Sequence, residues 1–344
     1  MGIADHQVVV GLDVGGSTCN ATVLTADGRF LVDRMVETPS RVTEGPAVAI
    51  EVLAGVLERV LAQTGTARSA VAAVGLDSPG PASADGVLSS TGATNFSTPA
   101  WHGFDFRGTL ARRLDLPVSY LNDANAAALY AHQAHFGPQA GRRSSVAAIV
   151  GTGLGGGVVE QGRVVIGAAG QAGELGHVPV PMDGLLADGQ PVPQCNCGLA
   201  GDAESVASLT GITRNLLPFW LTRHPDHDLA ASPPPEAAKL VRGYGERGDP
   251  MARAIFEQQA MALGRLFTIL ANVTDPHAYF LGGGVVEAAP EFRDWFLATV
   301  RAHTTLREEQ ARVAELVLVP DLDMAGARGA ALAALAALAG LRDG

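Results

Sequence analysis

The chain carries the same succession of strands and turns near its start and near its middle. An apolar run at Val8 to Leu12 is followed by a glycine turn, a second apolar run, an Asp27-Gly28 turn and a third run at Phe30 to Val36. The same order returns between Val146 and Ile166, where an x-Gly pair again forms the last turn. Asp-Gly between two β-rich runs is a strong hairpin signal. The repetition indicates an internal duplication, which restricts the chain to folds built from two related halves.

Helices and strands alternate after each of these three-strand meanders. In the first half, hydrophobic periodicity predicts a helix at Ala47 to Leu61, a strand at Ala70 to Leu76, a helix at Arg107 to Leu114 and a strand at Val118 to Leu121. In the second half, it predicts a helix from about Asp249 to Asn272, a strand at Ala278 to Leu281 and an alanine-rich final helix. This arrangement predicts two α/β domains with a cleft between them.

Length and composition agree with a globular protein of two domains. The 344 residues allow about two domains, and 47% hydrophobic residues can bury large cores. The net charge of −11 argues against a surface that binds nucleic acid. The start of the chain lacks the layout of a signal peptide, and the longest nearly pure apolar run, Gly329 to Leu341, is too short to span a membrane. The odd cysteine count, Cys19, Cys195 and Cys197, points to a reducing compartment, so we expect a cytoplasmic protein.

Lys239 is the only lysine of the chain. Its neighbours are Ala238 and Leu240, so no Gly-x-x-x-x-Gly-Lys-Ser/Thr phosphate loop can exist. The same count excludes the protein-kinase arrangement, which needs a strand lysine on the nucleotide phosphates, and a pyridoxal Schiff base in a glycine-rich site. A phosphate group would have to be held without lysine.

Two glycine turns at matching positions of the duplicated halves could bind a phosphate group without lysine. Gly15-Gly16 follows the first strand, and the run from Gly151 to Gly157 follows its counterpart. Glycine-rich turns can direct backbone N–H groups into an anion-binding concavity, and Ser17, Thr18 and Thr152 add hydroxyl groups. Each run taken singly is best explained as a tight turn, whereas the matched pair favours nucleotide binding.

Carboxylates lie at the end of the first strand and at the start of a later helix. Asp13 points into the first glycine turn, where it could hold a Mg²⁺ ion directly or through water; the alternative is a turn carboxylate that bonds neighbouring amides. Asn122-Asp123 closes a strand and opens a helix from Ala124 to Phe136. A carboxylate in that position lies where ligands enter α/β sheets and could act as a general base, and the alternative is a plain helix N-cap.

A third group of polar residues has the composition of a metal site. Glu174-Leu-Gly-His177 is followed by Cys195-Asn-Cys197 and by Asp202. One histidine, two cysteines and a carboxylate suit tetrahedral zinc. The alternative is a reduced pair of thiols without metal, beside a hydrogen-bonded loop histidine.

These motifs resemble the ROK family, which groups bacterial repressors, open reading frames and sugar kinases. The motifs that carry the resemblance follow the family's order over nearly the whole chain: Asp13-Val-Gly-Gly-Ser-Thr, Leu121-Asn-Asp-Ala-Asn-Ala-Ala-Ala, Gly151-Thr-Gly-Leu-Gly-Gly-Gly, Gly173-Glu-Leu-Gly-His and Cys195-Asn-Cys-Gly-Leu-Ala-Gly-Asp-Ala-Glu204. The resemblance implies an α/β, actin-like, hexokinase-type duplicated ATPase fold with two α/β domains around a cleft. It implies an N-terminal domain of residues 1–121, completed by the final helix at 326–344, and a larger C-terminal domain of residues 122–325 with a zinc-type loop at 177–204.

The resemblance also implies roles for individual residues. Asp123 corresponds to the catalytic base that accepts the proton of the sugar hydroxyl. Besides Asp123, the residues implied to hydrogen-bond the sugar are Asn95, Asn122, Glu174, His177 and Glu204. Those implied to bind ATP and Mg²⁺ are Asp13, Gly15, Gly16, Ser17, Thr18, Gly151, Thr152, Gly153, Gly155 and, on the adenosine side, Gly283.

Two positions depart from the family pattern. Ser17 stands where the family more often has threonine, which preserves the hydroxyl group. Asp202 stands where a third zinc cysteine is usual. A structural zinc ion at His177, Cys195, Cys197 and Asp202 is therefore retained, held more weakly or lost.

The sequence thus predicts an ATP-dependent, glucokinase-like hexose kinase that phosphorylates the sugar 6-hydroxyl. One alternative is a kinase for fructose, mannose, N-acetylglucosamine or N-acetylmannosamine. The other is a sugar-responsive regulator or sugar-binding protein without kinase activity. The glycine turns alone also leave polyphosphate open as the phosphate donor. We expect no nucleic-acid or membrane partner, and a homodimer is typical of the family.

Overall fold

Short apolar runs form the strands of this structure, a computed structural model that describes residues 4, 6–35, 37–89, 96 and 98–340. The strands are β1 (Val8–Val14), β2 (Thr18–Thr25), β3 (Thr38–Pro39), β4 (Val71–Ser78), β5 (Val118–Asn122), β6 (Ser144–Val150), β7 (Leu154–Glu160), β8 (Arg163–Val164), β9 (Ala278–Gly283) and β10 (Glu315–Leu318). Within the described residues they form two five-stranded sheets, with the orders β3-β2-β1-β4-β5 and β8-β7-β6-β9-β10.

The two sheets share one topology. In the first, β1 pairs antiparallel with β2 and parallel with β4, and β4 pairs parallel with β5. In the second, β6 pairs parallel with β9, β9 pairs parallel with β10, and β7 pairs antiparallel with β8. The predicted duplication is therefore visible in the order and direction of the strands.

The described residues form ten α-helices, which include those that hydrophobic periodicity predicted and others for which the sequence analysis made no prediction. They are α1 (Pro46–Thr64), α2 (Phe106–Leu114), α3 (Asp123–Phe136), α4 (Leu209–Gly211), α5 (Leu217–Arg223), α6 (Pro234–Glu246), α7 (Pro250–Thr274), α8 (Pro290–Ala302), α9 (Glu308–Ala311) and α10 (Leu322–Gly340). Local chemistry sets the bounds of α7. The Asp249 side chain accepts a hydrogen bond from the Ala252 N–H at 2.8 Å, and Asp275 ends the helix with a left-handed φ of 46°.

The chain divides into two compact units. The first comprises Met1–Arg142, Gly157–Gly173 and Val319–Gly344, and the second comprises Arg143–Gly156 and Glu174–Leu318. The sequence analysis expected a boundary at residue 121, whereas this division keeps α3 in the first unit. The physical reason is the close packing of α3 on α10, since a Cβ atom on Gly329 would overlap the carbonyl oxygen of Ala126.

Helix α10 is a core helix of the first unit. Its segment Leu322–Ala339 is long and apolar enough to cross a membrane by length and composition alone. However, a Cβ atom on Gly11 of β1 or on Gly75 of β4 would overlap backbone atoms of α10. The apolar character of α10 therefore reflects its tight packing on the first sheet.

The prediction of a third strand at Phe30 to Val36 is wrong for the described residues. After the turn at Gly28, which has a φ of 86°, the chain pairs with β2 through a single bridge between Leu24 and Phe30. No strand is formed by the described residues between Thr25 and Thr38, and the Val32 carbonyl accepts a hydrogen bond from Arg328 of α10 at 3.4 Å. The short strand β3 takes the edge position beside β2 instead.

Candidate active site

Three aspartates of the first unit lie at the carboxyl ends of neighbouring parallel strands. Asp13 and Asp77 are register partners on β1 and β4, and Asp123 directly follows β5. Side chains of register partners point to the same face of a sheet. The structure thus brings together Asp13 and Asp123, which the sequence analysis singled out, and adds Asp77.

Burial dominates the electrostatics of this cluster. It raises the pKa of Asp13 to about 6, with the charge of Asp123 adding to the effect and the contact with Asp77 opposing it. Burial and then the neighbouring Asp13 raise the pKa of Asp77 well above its ordinary value. Burial also raises the pKa of Asp123, although the Ala124 N–H donates to its Oδ1 at 2.7 Å. Three carboxylates in a poorly solvated place favour uptake of a proton or a cation.

Asp77 is a candidate functional residue that the sequence analysis missed. Its side chain is 0% exposed, and no N–H or O–H group of the described residues donates to either oxygen. Gly326 of α10 leaves room beside it, because a Cβ atom there would lie 2.8 Å from Asp13 Oδ2 and 3.3 Å from Asp77 Oδ2. The signal that could have revealed it is a carboxylate that ends a buried strand, as Asp13 does.

The carboxylate cluster has the donor chemistry of a Mg²⁺ site. Mg²⁺ is bound through carboxylate oxygens and water in most nucleotide sites. Asp13 offers a half-buried carboxylate, and the oxygens of Asp77 lack donors within the described part of the chain. The residues present therefore fit the ion that the sequence analysis expected at Asp13.

Asn122 and Asp123 have separate local roles. Asn122 is the N-cap of α3, and its Oδ1 accepts from the N–H groups of Ala124 at 2.9 Å and of Asn125 at 3.4 Å. The capping alternative considered for this pair thus applies to Asn122. Since another residue caps the helix, the carboxylate of Asp123 is not required to start α3.

The first glycine turn extends directly from Asp13. Gly15, Gly16 and Ser17 connect β1 to β2, and the Gly15 N–H donates to the carbonyl of Thr18 at 2.8 Å. The Ser17 carbonyl is held by the N–H of Ser40 at 2.9 Å. The candidate phosphate residues of the first unit therefore lie on one ordered turn beside the carboxylate cluster.

The second glycine turn is shorter than predicted. It spans Gly151 to Gly153, because β7 begins at Leu154 and contains the next glycines, Gly155 to Gly157. The prediction that this run is wholly a turn is therefore wrong. Close packing explains the last of these glycines, since a Cβ atom on Gly157 would lie 2.5 Å from the Cβ of Ala128.

Residues after the Cys-x-Cys loop hold this second turn in place. The carbonyl of Gly151 accepts from the Leu209 N–H at 3.0 Å, and the carbonyl of Thr152 accepts from the Thr210 N–H at 3.0 Å and its hydroxyl at 2.8 Å. Gly151 and Thr152 are themselves exposed. The turn thus presents its tip to solvent while its carbonyl groups face the protein.

The backbone conformation and the close packing at position 283 both require glycine, independently of any ligand. This residue ends β9 with a φ of 106°, and a Cβ atom there would overlap the carbonyl oxygen of Val150. Glycine is the residue type that tolerates both conditions. Its expected contact with adenosine remains a prediction.

The candidate sugar residues of the second unit lie close together. Glu174 precedes the turn Leu175–His177, and the Glu204 N–H donates to the carbonyl of Gly176 at 2.8 Å. Glu204 therefore adjoins the turn that carries Glu174 and His177. Asn95, which was also expected to contact sugar, lies outside the described residues.

His177, Cys195, Cys197 and Asp202 form a compact cluster in the second unit. Their ligand atoms all lie within 4.8 Å of one another. Asp202 Oδ2 lies 3.2 Å from His177 Nδ1 and 3.6 Å from Cys197 Sγ, and Cys195 Sγ lies 3.7 Å from His177 Nδ1. Zinc bond lengths and tetrahedral angles require separations of about 3.3 Å between N and O donors and about 3.6 Å where sulfur takes part.

Asp202 is oriented for a ligand role. Its side chain is 0% exposed, and its Oδ1 accepts from the Ser205 N–H at 2.8 Å, which turns Oδ2 toward the cluster. Burial raises the pKa of the Cys195 thiol, so the cluster without a cation keeps this sulfur protonated. The donor set and its spacing therefore fit zinc, with an oxygen as the fourth donor.

Comparisons with known proteins identify the family of this chain. A family model described as the ROK family matches residues 9–337. The glucokinase of Halalkalibacterium halodurans is 33% identical over 301 residues, which are 86% of this chain and 84% of that protein.

Two solved structures extend the similarity to the fold. The ROK hexokinase from Thermus thermophilus is similar with a TM-score of 0.73 and 33% identity, over 98% of this chain and 100% of that one. A ROK family glucokinase from Streptomyces griseus, solved in complex with glucose and AMPPNP, is similar with a TM-score of 0.68 and 27% identity, over 98% and 100% of the two chains. Since both the family model and a relative above 30% identity span most of its length, the chain belongs to the ROK family and has an actin-like, hexokinase-type fold.

Proposed function

We propose that this protein is an ATP-dependent glucokinase that transfers the γ-phosphate to the 6-hydroxyl of glucose. One observation carries the proposal most directly. Asp123 lies at the carboxyl edge of the first sheet, its charge acts on Asp13, and Asp13 leads into the glycine turn of the first unit. A base, a cation ligand and a phosphate-type turn are the parts that phosphoryl transfer needs. The sequence similarity to glucokinases supports the choice of substrate.

In this proposal Asp123 accepts the proton of the attacking sugar hydroxyl. Its raised pKa brings the carboxylate closer to neutral pH, which improves a general base. Asp13 would hold Mg²⁺, which when bound neutralises charge on the phosphate oxygens. Backbone N–H groups of the two glycine turns would stabilise the transferring group in place of lysine. Glu174, His177 and Glu204, with Asn122 and Asn95, would hydrogen-bond the sugar hydroxyls.

A coupled assay of ADP release with a panel of sugars tests this proposal. We expect the highest kcat/KM with glucose and ATP, and lower values with mannose, fructose, N-acetylglucosamine and N-acetylmannosamine. Replacement of ATP by polyphosphate tests the donor. If sugar binds but no ADP is released in any combination, the protein is a sugar-binding or regulatory member of the family. A gel shift with promoter DNA tests the regulatory role, for which the net charge of −11 predicts no binding.

The proposal also includes a cytoplasmic location and a homodimer. Light scattering on the purified protein would then give twice the chain mass of 35.3 kDa. A value equal to one chain at all concentrations would contradict the dimer.

We further propose one structural zinc ion per chain at His177, Cys195, Cys197 and Asp202. Asp202→Ala should weaken zinc affinity at least about 100-fold, because it removes a direct ligand rather than an outer-shell partner. Asp202→Cys should retain zinc, since it restores a sulfur donor. Asp188→Ala, at an exposed residue of the same loop, serves as the control.

Metal analysis, which measures the zinc content, and thermal melting test this zinc prediction. The wild type and Asp188→Ala should hold one equivalent of zinc and lose several degrees of melting temperature after chelation. A chelator-washed wild type that holds no zinc and melts and turns over unchanged would refute the site.

A further inference from the structure

The second glycine turn is held by the side chain of Glu204. The Leu154 N–H, at the end of the turn, donates to Glu204 Oε2 at 2.8 Å. Leu154 is 3% exposed, so water has little access to replace this acceptor. Gly153 permits the approach, because a Cβ atom on it would lie 2.5 Å from the same oxygen. The glycine and the carboxylate therefore form one local arrangement.

The surroundings of Glu204 on its other side are a candidate zinc ligand and a backbone hydrogen bond. Cys195 Sγ lies 3.5 Å from Oε1, the other carboxylate oxygen. The Glu204 N–H donates to the carbonyl of Gly176 at 2.8 Å, which fixes the backbone of the residue. A glutamate held at its backbone and at Oε2 is oriented before any ligand binds.

We propose that Glu204 is a positioning residue for the nucleotide. Its carboxylate sets the conformation of the turn from Gly151 to Gly153 and thereby the affinity of that turn for ATP. This inference rests on the proposed function, in which the turn binds phosphate. It assigns Glu204 a second role beside its expected contact with sugar, and the two roles are compatible because a carboxylate has about four lone-pair sites.

Thr210 also supports the turn from Gly151 to Gly153, through hydrogen bonds. Its N–H and its hydroxyl both donate to the carbonyl of Thr152, at 3.0 and 2.8 Å. Thr210 belongs neither to the zinc cluster nor to the candidate sugar residues. A substitution there changes the support of the turn without touching either of those groups.

Binding of AMPPNP and of glucose, each measured alone by calorimetry, tests the inference. Glu204→Ala should weaken AMPPNP binding about 10-fold in the absence of sugar, because the buried Leu154 N–H loses its acceptor. Glu204→Gln keeps an oxygen acceptor and should bind AMPPNP within about threefold of wild type. Thr210→Val should weaken AMPPNP binding about threefold and leave glucose binding unchanged.

Two controls separate this role from general damage. Thr213→Val makes the same substitution where the hydroxyl bonds the Leu209 carbonyl within the helical segment, and it should bind AMPPNP like wild type. Glu174→Ala should lose glucose affinity and keep AMPPNP affinity. Hydrogen exchange gives a direct readout, since the Leu154 amide should exchange faster in Glu204→Ala and not in Glu174→Ala.

The possible failures are distinguishable. If Glu204→Ala loses glucose but binds AMPPNP like wild type, Glu204 contacts only sugar and the inference is overturned. If Glu204→Ala does not fold, Thr210→Val decides, and unchanged AMPPNP affinity in that variant overturns the inference. A wild type that binds glucose but no AMPPNP would overturn the proposed function first and the inference with it.

Discussion

Asp123→Asn is expected to lower kcat by about 10³-fold while the affinities for glucose and AMPPNP stay within about threefold of wild type. Asparagine has the size of aspartate and can still accept from the Ala124 N–H through its oxygen. It cannot accept the proton of a sugar hydroxyl. The start of α3 should be preserved, because Asn122 provides the N-cap.

Asp115→Asn is the matched control for this variant. Asp115 is exposed and ends α2 with a left-handed φ of 53°, a conformation that asparagine tolerates well. Its kcat should equal that of wild type in the coupled assay. An Asp123→Asn enzyme with near-normal kcat would show that the base lies elsewhere.

The raised pKa values of the carboxylate cluster give this reaction a pH dependence. Burial raises the pKa of Asp13 to about 6 and also raises that of Asp123. Both groups must be ionised, one to hold the cation and the other to accept a proton, so protonation on the acid side removes activity. We expect kcat/KM for MgATP, which reports the free enzyme, to fall as the pH drops through about 6. A profile that is flat between about pH 7 and 5 would contradict this assignment.

The sequence predicted the duplicated sheets because their signals are local. Glycine turns, an Asp-Gly hairpin and strands that end in carboxylates each occupy a few consecutive residues. Asp13 and Asp123 were singled out because each stands beside another recognisable feature, a glycine turn or a helix start. Their meeting at one sheet edge follows from the parallel order of β1, β4 and β5.

The features that the sequence analysis missed depend on contacts between distant segments. Asp77 ends an apolar run with no motif beside it, and its significance lies in its pairing with Asp13 and the space at Gly326. The run Gly155 to Gly157 was expected to be a turn, but packing on α3 accounts for its last glycine. A glycine looks the same in the sequence whether it allows a tight turn or the close packing of two segments.

Close packing between distant segments also predicts a large loss of stability for Gly75→Ala. Gly75 lies in the middle of β4, and a Cβ atom on it would overlap the carbonyl group of Ala330 in α10. Both partners are backbone, so no side chain can rotate away and the helix must move. Overpacking of this kind costs typically 1–3 kcal/mol, and we expect about 3 kcal/mol or more here. The melting temperature should fall by roughly 6 °C or more.

Gly55→Ala makes the same chemical change in a position without constraint. Gly55 is exposed within α1, and nothing lies within 4 Å of a Cβ atom placed there. Alanine should stabilise that helix by about 0.5–1 kcal/mol, so the two variants should shift the melting temperature in opposite directions. Calorimetric melting of both proteins measures the difference. Equal shifts would mean that α10 does not press on β4, and the position of Gly326 beside Asp13 and Asp77 would then lose its structural basis.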